Sequence, residues 1–208
     1  MENGYKVTAC DCTTEFIEKK SRFICHIKYV ETEKDAQDFI NEIRTAHNDA
    51  THNCTAYRLW SPRTERFSDD GEPSGTAGMP MLEVLKKEDV YNTCVVVTRY
   101  FGGILLGAGG LIRAYSRSVA QTLAKAKTAL RLESVTLELT FEYKSYSKAE
   151  KYLENITYNR VSCDFGQNVC LVITVMKEQL EKIQTELADI LCGRLAIRRI
   201  SCGFDSFK

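Results

Sequence analysis

The chain has 208 residues, enough for one large domain or two small ones, and its 44% hydrophobic and 27% charged residues are typical of a soluble globular protein. Its 28 basic residues balance 28 acidic ones, which excludes a protein that coats nucleic acid by bulk positive charge but is compatible with a local basic patch. Because the sequence has neither an apolar run long enough to cross a membrane nor an apolar core in the opening MENGYKVTACDC, we expect a cytoplasmic protein without membrane contact.

The first half of the chain mixes strand and helix patterns. Polar–apolar alternation predicts a hairpin over residues 14–19 and 22–29, and Thr32 with Asp35 predicts a capping box at the start of a helix over 32–47. Further elements are predicted as a strand at 52–60, a short helix at 81–87, a buried central strand at 93–101 and a long helix at 110–127.

The second half of the chain has a regular order of elements. Alternation over 133–143 predicts a strand, which is followed by a helix over 145–156, two strands around residues 166–168, a helix ending at Gly193 and a last strand over 194–200. This β-α-β-β-α-β order is that of a ferredoxin-like domain. We therefore predict an α+β protein with domains at 1–131 and 132–208.

The nine cysteines contain no Cys-x-x-Cys pair, which removes the commonest zinc and redox signatures. We predict reduced, mostly buried thiols, since Cys25, Cys94, Cys170 and Cys192 lie within apolar patterns. His52 and Cys54 would share a face of one strand, but no third ligand has convincing spacing, so we predict neither a metal site nor a Cys–His nucleophile.

The segment RYFGGILLGAGGLIRAYSR, residues 99–117, links the predicted buried strand to the long helix through glycines. It matches neither the P-loop nor the dinucleotide-binding pattern, so a tight connection and an anion site at the helix N-terminus both remain open. Between Val90 and Leu132 there are six basic residues and no acidic one. At 100° per residue Arg113, Arg117 and Lys127 share one face of the long helix. The opposite, apolar face consists of Leu111, Ile112, Tyr115, Val119, Leu123 and Ala126.

We interpret that face as a site for RNA phosphates or an acidic partner, with a solvated helix face as the alternative. The predicted contact residues are Arg99, Gly102, Gly103, Gly107, Gly109, Gly110, Arg113, Arg117 and Lys127.

The stretch SDDGEPSGTAGMP, residues 68–80, carries three carboxylates in a loop rich in glycine. We predict that it folds against the glycine-rich segment and that its acids position Arg99 and Arg113 by ion pairing. A mobile surface loop and a divalent-ion site are the alternatives. The predicted supporting residues are Asp69, Asp70, Glu72, Ser74, Gly75 and Thr76.

The motifs THNCTAYRLW, SDDGEPSGTAGMPMLEVL and VVVTRYFGGILLGAGGLIRAYS together resemble the YigZ/IMPACT family. The resemblance implies an N-terminal domain with the fold of the second domain of ribosomal protein S-five and a C-terminal domain similar to the last domain of elongation factor G. It also implies a role in translation, since the eukaryotic relatives restrain activation of a stress kinase by competing for a partner. The family supplies no agreed catalytic residue, so none is assigned, and no cofactor is expected.

Three hypotheses follow. The first is a translation-associated regulator that binds RNA, the ribosome or a translation-factor partner, with no preference for DNA inferred. The second is a regulator of stress signalling that contacts only protein. The third is a phosphate-handling enzyme, for which no positioned general base is recognisable.

Overall fold

The computed structural model describes residues 4–207, which form two compact units: Tyr5–Ala129, and residues 130–207 together with Gly4. Within the described residues the chain is an α+β protein with two sheets and five α-helices, as the sequence predicts. None of the helices within residues 4–207 combines the length and the apolar composition that crossing a membrane requires.

The first nine elements of the chain include the N-terminal sheet and its helices, to which all of them except β1 belong. They are β1 (Gly4–Thr8), β2 (Cys12–Glu18), β3 (Ser21–Tyr29), α1 (Glu33–Ala46), β4 (His52–Leu59), β5 (Thr64–Ser68), α2 (Gly78–Lys87), β6 (Thr93–Tyr100) and α3 (Ala108–Ala126). The predicted hairpin is β2–β3, and the capping box of Thr32 and Asp35 is present at the start of α1. Strands β1 and β5 were not predicted because each is only five residues long.

The N-terminal sheet has the order β2-β3-β6-β4-β5, and its neighbouring strands run antiparallel. Val95 and Val97 pack with α2 and α3 in one core cluster, while Val96 packs with α1 in another. Both faces of β6 are therefore covered, which explains its near-continuous apolar sequence and confirms the prediction of a central buried strand.

Helix α3 buries Leu111, Tyr115, Val119 and Leu123 as predicted, but Ile112 is 40% exposed. Ile112 lies 100° around the helix from Leu111, at the edge of the buried face. The other buried positions of α3 hold the small residues Ala114, Ser118, Thr122 and Ala126. The prediction that Ile112 faces inward is therefore wrong.

The elements of the C-terminal unit are β7 (Thr128–Phe141, in this unit from residue 130 onward), α4 (Tyr146–Leu153), β8 (Tyr158–Phe165), β9 (Val169–Met176), α5 (Leu180–Ile190) and β10 (Leu195–Asp205). These strands pair antiparallel in the order β10-β7-β9-β8, the ferredoxin-like arrangement that the element order predicts. Its own apolar core includes Leu137, Leu139, Leu153 and Ile173.

The cysteines are free thiols, but only Cys25, Cys54 and Cys94 are buried. Cys170 is half-buried and Cys192 is exposed with a φ of 52°, just beyond the end of α5. The prediction that most cysteines are buried is thus wrong, because an apolar neighbourhood in sequence does not fix which side of an element faces the core.

Candidate functional site

The acidic loop, residues 69–78, is folded around its own carboxylates. Asp69 Oδ1 accepts hydrogen bonds from the backbone N–H groups of Ala77 (3.0 Å) and Gly78 (2.8 Å), and its Oδ2 accepts one from Gly75 (2.8 Å). Asp69 therefore holds the loop and the first turn of α2 together, and the loop is a structured connection.

The next residue, Asp70, joins the acidic loop to two other elements. Its carboxylate accepts a bond from the backbone N–H of Asn53 on β4 (2.7 Å) and pairs with Arg44 of α1 (3.0 Å). Its carbonyl oxygen accepts a hydrogen bond from His52 Nδ1 (2.8 Å). Because a carbonyl can only accept, His52 carries its proton on Nδ1.

Glu72 forms a buried ion pair with Arg99 of β6. Arg99 Nη1 lies 2.6 Å from Glu72 Oε1, and only 6% of the Arg99 side chain and 3% of the Glu72 side chain are exposed. Glu72 Oε1 also accepts a bond from the hydroxyl of Tyr115 (2.7 Å), and Arg99 Nη2 donates to Ser21 Oγ (3.3 Å). An ion pair between the acidic loop and Arg99 was predicted.

The predicted exposure of Arg99 is wrong. Its guanidinium lies 5.5 Å from the ring centres of Phe23 and Phe101, and the residue is 5% exposed. Val95, Val97 and Arg99 occupy every second position of β6, so the side chain of Arg99 lies on the sheet face that α2 and α3 cover. Arg99 therefore supports the site and does not present its charge to a partner.

Tyr115 and Cys54 form the layer beneath Glu72. The thiol of Cys54 lies 3.0 Å from the carbonyl oxygen of Asp69 and 3.4 Å from Tyr115 Oη, and its single hydrogen can be donated to one of them at a time. Burial raises the pKa of the Cys54 thiol and the pKa of the Tyr115 hydroxyl well above their usual values, so both keep their protons. A protonated, buried thiol is a poor nucleophile, which argues against Cys–His chemistry here.

Within residues 4–207 no group of three or more His, Cys, Asp or Glu side chains is arranged to hold a metal ion.

A cavity of about 370 Å³, which we call the Glu72 pocket, opens above this layer. Thr51, His52, Glu72 and Arg99 are its polar lining residues, and we call the last three the floor. One wall comes from the acidic loop, and the opposite wall from the glycine-rich loop, residues 101–107, and the start of α3. The apolar lining residues are Pro73, Phe101, Leu105, Leu106 and Leu111.

Two glycines shape the glycine-rich loop. A Cβ on Gly102 would lie 2.0 Å from the backbone of Lys20, so only glycine permits this close approach to the β2–β3 turn. Gly107, the residue before α3, has a φ of 72°, which favours glycine. The other predicted glycines are Gly103, in the same loop, and Gly109 and Gly110, in the first turn of α3.

A second cavity, which we call the basic cleft, has a volume of about 240 Å³ and adjoins the pocket, because Leu106 lines both. Lys19, Arg113 and Arg117 supply three positive charges there against one negative charge from Glu18. Arg117 lies 4.0 Å from the Glu18 carboxylate and its guanidinium stacks on Phe16. Arg113 and Arg117 remain exposed.

Lys127 does not belong to this cleft. It follows the last residue of α3 with a φ of 58° and lines a different cavity beside Glu88. Since it is fourteen residues beyond Arg113, it lies about 21 Å further along the helix axis. The predicted stripe of Arg113, Arg117 and Lys127 is therefore interrupted.

The remaining predicted supports have local roles. Ser74 is exposed, and the Thr76 hydroxyl donates to the carbonyl of Pro73 (2.6 Å). The polar role of Tyr115 was not predicted from the sequence, which placed this residue only on the apolar face of α3. A tyrosine on such a face needs a partner for its hydroxyl, and that requirement is the signal by which the role could have been found.

Comparisons with known proteins agree on one family. The Impact N-terminal domain family matches residues 19–123. The IMPACT family member YvyE of Bacillus subtilis is 41% identical over 185 residues, which are 88% of this chain and 85% of YvyE. The IMPACT family member YigZ of Escherichia coli is 35% identical over 88% of this chain and 91% of its own length. A crystal structure of a hypothetical protein, 33% identical, superposes with a TM-score of 0.63 and covers 97% of this chain and 98% of its own.

Proposed function

Because the chain belongs to the IMPACT family, we propose that it is a translation-associated regulator that binds RNA, the ribosome or a translation-factor partner through the basic cleft and the glycine-rich loop. The translational role rests on the family resemblance of its motifs. The observation that carries the binding surface is the exposed pair Arg113 and Arg117 at the N-terminal part of α3, with Lys19 across the cleft.

RNA phosphates suit this cleft because its excess positive charge is open to solvent and has a single acidic neighbour. Guanidinium groups bind phosphate oxygens through paired N–H donors, and the backbone N–H groups at the start of α3 favour anions as well. Contacts of this kind fix a nucleic acid in place without reading its sequence.

A contact with protein alone is the second candidate, and it is favoured by exposed apolar side chains on the same loop. Leu105 is 81% exposed, Phe101 45% and Ile104 41%. Side chains of this size at one exposed loop are typical of a surface that another protein covers.

The test is co-sedimentation with ribosomes across a salt series. The double variant Arg113→Ala with Arg117→Ala should bind more weakly at every salt concentration, and the slope of log affinity against log salt should fall by about 2 because two phosphate contacts are removed. Lys125→Ala with Lys182→Ala is the matched control, since it removes two exposed charges outside the cleft and should change little. Unchanged binding by the cleft variant would remove the cleft from the proposal.

Nuclease treatment before sedimentation separates the two candidates. Association that disappears with the RNA supports a phosphate contact. A protein partner that stays bound after digestion, and that the double variant loses, supports the second candidate.

A further inference from the structure

We propose that the Glu72 pocket binds a nucleobase that carries an exocyclic amino group, while the phosphate of the same nucleotide lies in the basic cleft. The inference rests on the proposed RNA contact and names the part of the ligand that the pocket would recognise. A free nucleotide and an unpaired nucleotide of RNA share this chemistry.

The floor of the pocket presents two hydrogen-bond acceptors side by side. The carbonyl of Asp70 accepts from His52 Nδ1, and the tautomer with its proton on Nδ1 presents an acceptor at Nε2. Glu72 Oε2 lies 3.9 Å from that nitrogen, whereas Oε1 is engaged by Arg99 and Tyr115. An amino group has two N–H bonds, with which it can donate to two acceptors at this separation.

The walls of the pocket suit a flat ring. Phe101 and the leucines at 105, 106 and 111 line it, and a cavity of about 370 Å³ is within the range that small-molecule sites use. Apolar and aromatic walls stabilise the faces of a base, while a few placed polar groups read its edge. Leu105 is largely exposed at this wall, so the pocket is open to a base that is not paired.

The position of the basic cleft adds charge complementarity. Leu106 separates the pocket from the cleft and lines both, so a ligand that fills the pocket has positive side chains next to it. A base alone would not need them, but the phosphate of a nucleotide would. The buried ion pair of Glu72 and Arg99 leaves the floor with no net charge, so the phosphate is favoured in the cleft and not in the pocket.

The ligand test compares nucleotides that differ only in the amino group. CMP should bind at least about 10-fold more tightly than UMP, and GMP at least about 10-fold more tightly than IMP, because uracil and hypoxanthine leave the two acceptors without a shared donor. Calorimetric titration of the full chain measures each affinity. Ribose 5-phosphate, which has the phosphate but no base, should not bind detectably.

The protein test compares two phenylalanines of similar exposure. Phe101→Ala should weaken GMP binding by about 5-fold or more, since one stacking partner is lost. Phe67→Ala is the matched control, because Phe67 is 44% exposed on β5, outside the pocket, and should leave GMP affinity unchanged. Because Phe101 also contacts the Arg99 guanidinium, thermal melting of both variants checks that the fold is retained.

The outcomes separate this inference from the proposed function. Three results would each overturn the nucleobase site: equal affinities within both nucleotide pairs, no binding of GMP at millimolar concentration, or an unchanged GMP affinity in Phe101→Ala. Any of them would do so even if a protein is found to bind the glycine-rich loop. Ribosome binding that still needs Arg113 and Arg117 would then leave the proposed function standing. If the pairs differ as expected, guanosine-containing RNA oligomers that bind more tightly than GMP identify RNA as the source, and equal affinities identify the free nucleotide.

Discussion

Glu72 organises the site through an unequal use of its two oxygens. Oε1 receives the Arg99 guanidinium and the Tyr115 hydroxyl, whereas Oε2 has His52 at 3.9 Å as its neighbour. A buried carboxylate that lost its donors would retain an uncompensated charge, so the residues around Oε1 are coupled energetically.

Tyr115→Phe tests that coupling. The variant keeps the ring but removes the O–H that bonds to Glu72, and we expect it to lower the free energy of unfolding by about 2 kcal/mol, because the acceptor is charged and buried. Chemical denaturation of the full chain measures the change. Tyr100→Phe is the control, since the Tyr100 hydroxyl bonds Asp49 and His47 Nδ1 close to the surface and not in the core, and its cost should be under about 1 kcal/mol. Equal losses in the two variants would show that burial does not strengthen the Tyr115 bond.

At the scale of elements, α2 depends on a residue that is distant in sequence from its first turn. Ala77 precedes the helix and has no side-chain oxygen that could accept hydrogen bonds from the free backbone N–H groups at the start of α2. Asp69, eight residues earlier, accepts from Ala77 and Gly78 instead. The acidic loop and the helix are therefore expected to form or unfold together.

Asp69→Asn should destabilise this loop–helix unit. The amide keeps one acceptor oxygen, so at least one of the three backbone bonds is lost, and we expect a cost of about 1–2 kcal/mol. Hydrogen exchange at residues 75–79 should speed up in the variant. Asp38→Asn on α1 removes an exposed i,i+4 pair with Lys34 and should cost less than about 0.5 kcal/mol. Unchanged exchange at 75–79 in Asp69→Asn would contradict the capping role.

At the scale of the whole molecule, each unit has an apolar core of its own. Leu139 and Ile173 lie in the core of the C-terminal unit, while Val97 and Tyr115 lie in one core of the N-terminal unit. A domain needs its own core to fold as a unit, so we propose that 1–131 and 132–208 are domains that unfold separately.

Leu139→Ala tests the separation. Removing a side chain with no exposed surface should cost the C-terminal unit about 2–5 kcal/mol and speed hydrogen exchange across β7 to β10. Protection of β3 and β6 should stay as in the parent chain. Val97→Ala is the reciprocal variant and should speed exchange in the N-terminal unit alone. Loss of protection throughout the chain in either variant would mean that the two units unfold as one.

Much of the architecture could be predicted because regular elements carry their own periodicity. The run at 93–101 is apolar at successive positions, and β6 has both faces covered. The strand over 194–200 was predicted too short, since β10 continues to Asp205 with exposed residues that carry little apolar pattern. Two predictions about the site were wrong: Arg99 is buried, and Lys127 lies away from the basic cleft. The sequence gives the sign of each charge but not the residues that surround it in the fold.

The sequence by itself determined the order of the elements, the ferredoxin-like pattern, the family and the position of a basic segment beside a glycine-rich loop. Those properties depend on neighbours a few residues apart, whose spacing is visible in a single chain. Only the tertiary structure decided that Arg99 is buried against Glu72, 27 residues earlier, and that Glu72 Oε2 faces His52 on the floor of a pocket. The physical reason is that burial and ion pairing depend on segments far apart in sequence, which meet only when the sheet and helices pack together.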